Sequence, residues 1–454
     1  MAATFIFSLP PNPTNLPSDP SSSSSLLPFS AYRYGYIYRV KPVSAFHFRA
    51  PKITCCLSIK QTNDNSATIQ NDSLDGIRVI FAAGGTGGHI YPAVAVADEL
   101  KSSNSTSKIL FVGLPNSMES AAIPSAGYDF TAIPAVRLAR PFISPVNLLL
   151  PFHLIKATRQ CCQVLRDFKP HIVVGTGGYA SFSACLAAVL SGIKVVIQEQ
   201  NSVPGIANWV LSLFADVIFV AFNSTVDCFP RKSKCMVVGN PVRQSLKGYV
   251  SKAVARTHFF PRSGKLAGDS EARVILVLGG SLGANAINIA LLNLYSQMLA
   301  EHKNWFIIWQ TGVHSFDEMD SLVRNHKRVL LTPFLHNMDL AYAAADLIVS
   351  RAGALTCYEI LSAGKPSILI PSPNVAEGHQ FKNASLLADV AGSKLITEDE
   401  LDSITLNSAI EEILGDENLM AEMSERALKA AKCEAAATIA NHIISMIEVL
   451  LRAS

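Results

Sequence analysis

The residues best suited to chemistry lie in one loop near the start of a long apolar pattern. The stretch RVIFAAGGTGGHIYPAVAVADEL (78–100) indicates a strand, a loop of four glycines with a threonine and a histidine, and then a helix. Backbone amides at a helix start bind anions, so this loop predicts a phosphate ligand. His89 adds a group that titrates near neutral pH. It could take a proton as a base, donate a hydrogen bond to phosphate, or cap the helix.

The glycine loop does not match a dinucleotide site. Ile90 stands where the third glycine of GxGxxG belongs, and ILFVGLPN (109–116) supplies no acidic residue for a ribose. A P-loop also requires a Gly-Lys-Ser/Thr end, which neither glycine loop of this chain has. We therefore expect neither an NAD or FAD enzyme nor a P-loop NTPase.

The elements that must position this loop repeat along the chain. VIFAAGGTGGH and VILVLGGSLGA share the order strand, Gly-Gly-Thr/Ser, helix. Continuous apolar runs that alternate with helical stretches predict parallel sheets covered on both faces. The predicted strands are 77–83, 108–113, 171–177, 194–200, 216–222 and 235–240 in the first half, and 273–284, 306–312, 328–334, 346–353, 366–371 and 394–397 in the second.

The predicted fold class is therefore α/β, with two Rossmann-like doubly wound domains facing a cleft. Residues 76–244 form the predicted N-terminal domain and residues 273–454 the C-terminal domain, with a basic, irregular linker at 245–272. Both glycine loops should lie at the carboxyl ends of the strands, where ligands bind in such sheets.

Residues 1–75 are predicted to be a transit peptide and a disordered extension. The first sixty residues contain six basic residues, one acidic residue, a serine tract and many prolines. That composition is typical of an organelle transit peptide, and the MAA start and ITCC (53–56) favour a plastid over a mitochondrion. A disordered extension without a targeting role is the alternative.

Composition limits the partners of the folded part. Lys and Arg (38) nearly balance Asp and Glu (35), so the charge indicates no nucleic-acid partner. Nine scattered cysteines, an odd number without paired CxxC motifs, indicate reduced thiols and no zinc site. The sequence contains no run of about eighteen apolar residues, so we expect no membrane-spanning helix.

Six motifs in order resemble the MurG family. They are GGTGGH (84–89), GTGGYAS (175–181), QEQN (198–201), VGNPVR (238–243), GGSLGA (279–284) and SRAGALTCYEI (350–360). The resemblance covers residues 76–445 and implies a GT-B fold whose C-terminal domain binds the donor, with the last helix packing back toward the N-terminal domain. It implies inverting transfer of N-acetylglucosamine (GlcNAc) from UDP-GlcNAc to lipid I, undecaprenyl-pyrophosphoryl-MurNAc-pentapeptide, which forms lipid II in peptidoglycan biosynthesis.

On the donor side, the leaving UDP must be stabilised as an anion. Gly279, Gly280 and Ser281 at a predicted helix start, together with Arg243, can supply amides, a hydroxyl and a fixed charge. The sequence has no DxD-like motif, and TEDELD (397–402) indicates a capped helix start. We therefore expect a transferase that needs no metal and no other cofactor.

The resemblance implies further donor contacts. Glu359 would bind the ribose hydroxyls, and the backbone of Leu335 would read uracil. Gln380 would contact the sugar or ribose, although this chain has His379–Gln380 where the family usually has two glutamines. The diphosphate and sugar would meet the backbone of Ala354, Leu355 and Thr356.

On the acceptor side, the resemblance implies that the first glycine loop wraps the pyrophosphate of the lipid. The predicted ligands are Thr86, Gly87, Gly88, Tyr179 and Asn201. Inverting transfer also needs a base, and His89 is the preferred candidate. Glu199 is the competing base, or it orients Asn201.

The segment SPVNLLLPFHLIKATRQCCQVLRDFKP (144–170) suits a lipid-linked acceptor. It places apolar residues beside Lys156, Arg159, Arg166 and Lys169. Such a patch is typical of peripheral contact with anionic lipid, which we assign to residues 148–159. The alternative is an amphipathic helix whose apolar face is core. Together with the transit peptide, this predicts a chloroplast protein at the inner envelope or thylakoid membrane.

Two other functions stay open from the sequence. A monogalactosyldiacylglycerol synthase would share the fold and a UDP-sugar donor, although the six motifs resemble MurG more closely. A non-catalytic nucleotide-sugar-binding protein is the second alternative. The presence of His89, Asn201, Arg243 and Glu359 argues against loss of catalysis but does not demonstrate turnover.

Overall fold

The structure is a computed structural model that describes residues 76–453 except 135–143, 244–245, 247, 249, 324–325 and 376–377. The predicted transit peptide lies outside the described residues. Parts of the predicted linker and a short segment before the predicted membrane patch lie outside them as well.

The first domain is built on a seven-stranded parallel sheet. Its order is β3-β2-β1-β4-β5-β6-β7. The strands are β1 (Arg78–Ala83), β2 (Lys108–Gly113), β3 (Asp129–Ala132), β4 (Ile172–Gly177), β5 (Lys194–Glu199), β6 (Val217–Val220) and β7 (Cys235–Val237). The helices between them are α1 (Gly87–Ser103), α2 (Met118–Ser125), α3 (Leu150–Phe168), α4 (Tyr179–Leu190), α5 (Ile206–Leu211) and α6 (Asn223–Val226), with 3-10 turns at Pro145–Leu149 and Lys232–Lys234.

The second domain has a six-stranded parallel sheet of order β10-β9-β8-β11-β12-β13. The strands are β8 (Arg273–Leu278), β9 (Trp305–Gln310), β10 (Val329–Thr332), β11 (Leu347–Ser350), β12 (Ser367–Leu369) and β13 (Lys394–Leu395). The remaining helices are α7 (Lys252–Phe259), α8 (Gly264–Ala267), α9 (Asn285–Glu301), α10 (Phe316–Leu322), α11 (Met338–Ala344), α12 (Ala354–Ala363), α13 (His379–Ala391), α14 (Ser403–Leu414), α15 (Glu417–Ala430) and α16 (Ala435–Ala453).

These two doubly wound sheets confirm the predicted fold class. Apolar cores lie on both faces of each sheet, as the continuous apolar strands require. In each sheet the strand order reverses beside the strand that feeds a glycine loop, between β1 and β4 and between β8 and β11. Ligands of open α/β sheets bind at such switch points, so the topology places both glycine loops where a ligand belongs.

One strand of the first sheet, β3, was not predicted from the sequence. β3 is four residues long and only partly buried, with the sequence DFTA. A short edge strand with a charged residue lacks the apolar run on which the other predictions depend.

The predicted linker at 245–272 is wrong in part, because it contains α7. Ala255 and Phe259 of this helix are buried in the core of the second domain. Arg256 is also buried; it pairs with Asp346 and donates to the carbonyl of Ala344 at 3.0 Å. The basic residues that suggested a solvated linker thus include one that anchors the helix inside the core.

The last helix, α16, crosses from the second domain to the first. It packs along α1, and its apolar face joins the first core through Ala436, Ile439, Ala440, Ile443 and Ile447. The stretch Glu417–Ala453 is long and apolar enough to cross a membrane by length and composition, contrary to the sequence expectation. One face of α16 is buried against α1, and that face belongs to the core of the first domain.

Candidate active site

The first glycine loop runs directly into α1 at the β1–β4 switch point. Thr86 is the extended residue before the helix, and Gly87 and Gly88 form its first turn. The Thr86 side chain makes no capping hydrogen bond to the helix, so the hydroxyl is not committed to its own backbone. The predicted phosphate-binding residues therefore occupy the positions whose amides a helix leaves unpaired.

A buried carboxylate that sequence reasoning missed lies beneath this loop. Glu119, at the start of α2, is fully buried. Its carboxylate accepts from the Leu114 amide at 3.0 Å and from the Gly85 amide at 3.3 Å. A Cβ on Gly84 would lie 2.7 Å from the same carboxylate. The one sequence feature that marks Glu119 is its position in the first turn of a helix. An acidic residue there is expected simply because it interacts favourably with the helix dipole.

His89 lies in the first turn of α1 and contacts residues from two neighbouring strands. Its Nδ1 is 3.0 Å from Oε1 of Gln200, which follows β5. Its carbonyl accepts from the Thr176 hydroxyl of β4 at 2.8 Å. The ring packs on Gly177, where a Cβ would lie 2.8 Å from Nδ1. The contact with Gln200 could not be predicted from the sequence, because the two residues are 111 positions apart.

Glu199 does not have the surroundings of a general base. It is 1% exposed, and its two oxygens accept four hydrogen bonds. The donors are the amide and side chain of Asn201 (both 3.0 Å), the Gly205 amide (3.1 Å) and the Asn208 side chain (2.8 Å). Because these bonds hold Asn201 and join the loop after β5 to α5, the geometry supports the alternative in which Glu199 orients Asn201.

Tyr179 and Asn201 flank the same edge of the first sheet. Tyr179 opens α4 directly after Gly177 and Gly178, and its side chain is 43% exposed. The Asn201 carbonyl accepts from the Thr225 hydroxyl at 3.1 Å. The structure thus brings the predicted acceptor residues to the carboxyl ends of β1, β4 and β5, which are adjacent strands.

Arg243 joins the two domains. Its guanidinium lies 3.9 Å from the ring centroid of Tyr91 in α1. Its Nε is 3.2 Å from Oε1 of Glu359 in α12, an ion pair without the alignment of a hydrogen bond. Tyr342 of α11 donates to the other Glu359 oxygen at 2.9 Å. Tyr91 and Tyr342 were not predicted; both lie inside helical patterns, which usually indicate core.

Burial sets the protonation of this cluster. It raises the pKa of Glu359, while Arg243 and the Tyr342 hydroxyl oppose that rise. Burial and the neighbouring carboxylate raise the pKa of Tyr342 well above its ordinary value, so the phenol remains a donor. The pair of predicted donor ligands, Arg243 and Glu359, therefore binds each other in this structure.

The second glycine loop differs from the first in its geometry. Helix α9 begins only at Asn285, so Gly279, Gly280 and Ser281 form a turn ahead of the helix. The prediction that they stand at the helix start is wrong. Gly280 has a φ of +79°, and the Ser281 carbonyl accepts from the Val313 amide at 3.1 Å. Gly279, Gly280 and Ser281 therefore lie in an ordered turn and not in the first turn of a helix.

The other predicted donor residues lie at the ends of neighbouring strands of the second sheet. Ala354, Leu355 and Thr356 form the first turn of α12, directly after β11. Gln380 is the second residue of α13, and its side-chain oxygen accepts from the Ser372 amide at 2.8 Å. Leu335 is buried beyond β10 and lines a cavity of about 470 Å³ together with Phe334 and His336.

Three acidic side chains of the run at 397–402 have partners within the protein. Glu398 pairs with Arg351 at 2.5 Å, and Glu400 accepts from the Thr397 hydroxyl at 2.7 Å. Asp402 caps α14 by accepting from the Thr405 amide, which lowers the pKa of that carboxyl. The Asp402 cap confirms the predicted capped helix start.

Two Rossmann-like domains, each with a glycine loop at its switch point, define the GT-B fold. The model of the glycosyltransferase family 28 N-terminal domain matches residues 79–220, and that of the family 28 C-terminal domain matches residues 274–441.

Individual proteins similar to this chain identify the branch of the glycosyltransferase family more closely. A UDP-N-acetylglucosamine–N-acetylmuramyl-(pentapeptide) pyrophosphoryl-undecaprenol N-acetylglucosamine transferase of Flavobacterium psychrophilum is 40% identical over 381 residues, which cover 83% of this chain and 99% of that protein. One of Christiangramia forsetii, with the same name, is 39% identical over 82% of this chain and 98% of that protein. The crystal structure of MurG from Acinetobacter baumannii matches with a TM-score of 0.62 and 29% identity, covering 81% of this chain and 99% of that chain. The chain belongs to the MurG family of glycosyltransferases, which confirms the predicted resemblance.

Proposed function

We propose that this chain transfers GlcNAc from UDP-GlcNAc to MurNAc-pentapeptide carried on a polyprenyl pyrophosphate. The observation that carries the proposal is the junction at α1. This helix holds His89 on the acceptor side, and two residues later Tyr91 supports Arg243, which reaches Glu359 on the donor side. The relatives named for this reaction are 34–40% identical over most of the chain.

The chemistry assigned to these residues is an inverting displacement. The acceptor hydroxyl attacks the anomeric carbon, His89 takes its proton, and the bond to the diphosphate breaks so that UDP leaves with the electron pair. Amides at the first turn of α12 and the Arg243 guanidinium stabilise the developing negative charge. For Arg243 to do so, it must exchange Glu359 for the diphosphate, which frees that carboxylate to accept from the ribose hydroxyls.

Transfer of labelled GlcNAc to a lipid I analogue tests the proposal directly. Residues 76–454 with UDP-GlcNAc should yield labelled lipid II. Formation of galactolipid from UDP-galactose and diacylglycerol, without GlcNAc transfer, would instead identify the chain as a galactolipid synthase. Binding of UDP-GlcNAc without either product would identify it as a non-catalytic nucleotide-sugar-binding protein.

We also propose that transfer needs no metal, because Arg243 and helix amides supply the positive charge. Arg243→Ala should lower kcat/KM for UDP-GlcNAc by about a hundredfold or more. Arg231→Ala, an exposed arginine of the same domain, is the matched control and should leave it unchanged. Loss of wild-type activity in excess EDTA, restored by a divalent cation, would contradict the metal-free mechanism.

Peripheral membrane contact is proposed for the start of α3. The side chains of Leu148, Leu149, Phe152 and Ile155 are 56–77% exposed, beside Lys156 and Arg159. The buried face of α3 is a different one, at Ala157, Cys161 and Leu165. Four large apolar side chains in contact with water, rimmed by cations, favour an anionic lipid surface.

Vesicle sedimentation tests this contact. The chain should bind vesicles that contain anionic lipid, and the double variant Leu148→Ser with Phe152→Ser should bind about tenfold more weakly. Val254→Ser, which removes an equally exposed apolar side chain from α7, should bind like the wild type. Equal binding by all three proteins would contradict the proposal.

We propose targeting to the plastid on the composition of the first sixty residues, the MAA start and ITCC (53–56). A fusion of residues 1–75 to a fluorescent protein should accumulate in plastids of plant cells, and a fusion of residues 76–454 should not. Cytosolic fluorescence of the first fusion would contradict the proposal.

A further inference from the structure

We infer that Gln200 is a positioning residue that keeps the proton of neutral His89 on Nδ1 and leaves the electron pair on Nε2. Gln200 belongs to none of the predicted sites, and its side chain is buried with 1% exposure. The inference deepens the proposed function, since it rests on His89 as the base. It specifies which ring nitrogen receives the proton.

The first step is the contact between the two side chains. His89 Nδ1 lies 3.0 Å from Oε1 of Gln200. An amide oxygen can only accept a hydrogen bond, so Nδ1 must carry the proton if that oxygen faces it. The tautomer of His89 therefore depends on which way round the Gln200 amide is held.

Two backbone carbonyls decide the orientation of that amide. The first is Thr176 O, which lies 2.7 Å from Gln200 Nε2 and can only accept. The second is the Gln200 carbonyl, which accepts from Asn240 Nδ2 at 2.8 Å. Asn240 Oδ1 must then accept from Gln198 Nε2 at 3.0 Å, which leaves Gln198 Oε1 to accept the second proton of Gln200 Nε2.

Reversing the Gln200 amide would set its oxygen against two acceptors in a buried site. Thr176 O and Gln198 Oε1 would both lose their donor, and each unpaired buried polar group is unfavourable. The closed chain of three amides thus fixes Gln200 Oε1 toward His89. This is the relation by which a second group orients a catalytic imidazole in other enzymes.

The ring is also held in place. A Cβ on Gly177 would lie 2.8 Å from both Nδ1 and Cε1, so this edge of the ring packs on bare backbone. Among the residues that the structure describes, none forms a hydrogen bond with Nε2. Nε2 is therefore the atom that takes the hydroxyl proton as the new glycosidic bond forms and UDP leaves. Gln200 Oε1 then stabilises the imidazolium by accepting from Nδ1–H.

The tautomer can be measured without any activity. Protein of residues 76–454 labelled with 15N-histidine would be studied by two-bond 1H–15N correlation at pH values where the imidazole is neutral, with His89→Gln assigning the signal. We expect a pyrrole-type Nδ1 and a pyridine-type Nε2 for His89. A pyrrole-type Nε2 in the wild type would overturn the inference.

Two matched variants test the role of Gln200 itself. Gln200→Met removes the acceptor, so the Nε2–H form of His89 should become the major one, and kcat should fall about tenfold or more with KM for UDP-GlcNAc unchanged. The control is Gln198→Met, which alters an equally buried member of the three hydrogen-bonded amides. It leaves the Thr176 carbonyl in place to orient the Gln200 amide. It should keep the Nδ1–H form. A Gln200→Met spectrum with unchanged His89 nitrogens would overturn the inference.

The spectrum separates this inference from the function on which it rests. If the wild type has the Nδ1–H form and His89→Gln still transfers GlcNAc, the base role fails while the positioning by Gln200 stands. If His89→Gln is inactive and the wild type has the Nε2–H form, the base role stands and the positioning fails. Should Gln200→Met not fold, the wild-type spectrum alone decides.

Discussion

Three carboxylates are buried around the site, and their partners separate their roles. Glu119 accepts from backbone amides beneath the first glycine loop. Glu199 accepts three hydrogen bonds from the loop after β5 and one from Asn208 of α5. Glu359 pairs with Arg243 and Tyr342 and is the one of the three whose partners are charged or phenolic side chains. A buried carboxylate needs hydrogen-bond donors or a cation beside it. The kind of partner therefore separates these three glutamates better than their residue type does.

The first prediction concerns Glu199. Glu199→Gln replaces one accepting oxygen by a donor that faces other donors, so the free energy of unfolding should fall by about 3 kcal/mol. Urea denaturation measures this. Exposed Glu434→Gln serves as the control and should change stability little. A variant as stable as the wild type but inactive would instead support Glu199 as the base.

A second residue-scale prediction follows from a partly buried lysine. Lys365 donates to the Ala345 carbonyl at 2.8 Å, and burial lowers the pKa of its amine from 10.5 to about 8. Between about pH 8 and pH 10.5 the unfolded chain therefore binds more protons than the folded one, and the free energy of unfolding rises with pH. The full shift corresponds to about 3 kcal/mol.

Urea denaturation at about pH 8 and about pH 10 tests this rise. The wild type should gain stability relative to Lys365→Met as the pH increases. Lys394→Met, which removes a half-exposed lysine paired with Glu412, should follow the wild type. Identical pH slopes for the wild type and Lys365→Met would contradict the prediction.

At the scale of elements, the loop after β4 positions His89. Gly177 has a φ of +106°, and a side chain there would meet the imidazole at 2.8 Å. Gly177→Ala should therefore displace the ring and lower kcat by about a hundredfold. Gly192→Ala is the matched control, since Gly192 also has a positive φ (+72°) but no atom within 4 Å of an added Cβ.

Steady-state kinetics and urea denaturation distinguish displacement of the His89 ring from backbone strain. Both variants should lose about 1 kcal/mol of stability from backbone strain, but only Gly177→Ala should lose activity. Equal activity in the two variants would contradict the role assigned to the loop.

At the scale of the whole molecule, hydrogen bonds join the loop of one domain to a helix of the other. Asn383 of α13 accepts from the Ser202 amide at 3.2 Å and hydroxyl at 3.0 Å, and donates to the Ala352 carbonyl at 3.2 Å. Ser202 follows the predicted acceptor ligand Asn201. The two binding regions therefore share a buried connection.

This connection predicts coupling between the substrates. The coupling is measured as the ratio of acceptor Kd values without and with bound UDP. In Asn383→Ala this ratio should fall by about fivefold or more, because Ser202 no longer contacts α13. Tyr358→Phe is the control: it removes one interdomain hydrogen bond, to the Ala221 carbonyl, but leaves both binding regions in place. Calorimetric titration with and without UDP measures both. Unchanged coupling in Asn383→Ala would contradict the prediction.

Much of the fold and part of the site could be predicted from the sequence. The strands were predictable because strands buried on both faces are continuous apolar runs, and β3 was missed because it is short and half-exposed. The glycine loops were found by composition, but Glu119, Gln200 and Tyr342 were not. Their side chains act through partners that are distant in sequence or hidden within helical patterns, so no local pattern marks them.

The sequence by itself determined the two α/β halves, their glycine loops and the presence of His89, Arg243 and Glu359, because periodicity and residue type are local properties. Only the tertiary structure decided which partners surround these groups. It surrounded Glu199 with four hydrogen-bond donors, paired Arg243 with Glu359 across the domains, and placed the Gln200 side chain against His89. Each of these depends on burial and on which donors face which acceptors. Those properties exist only once strands far apart in the chain lie side by side.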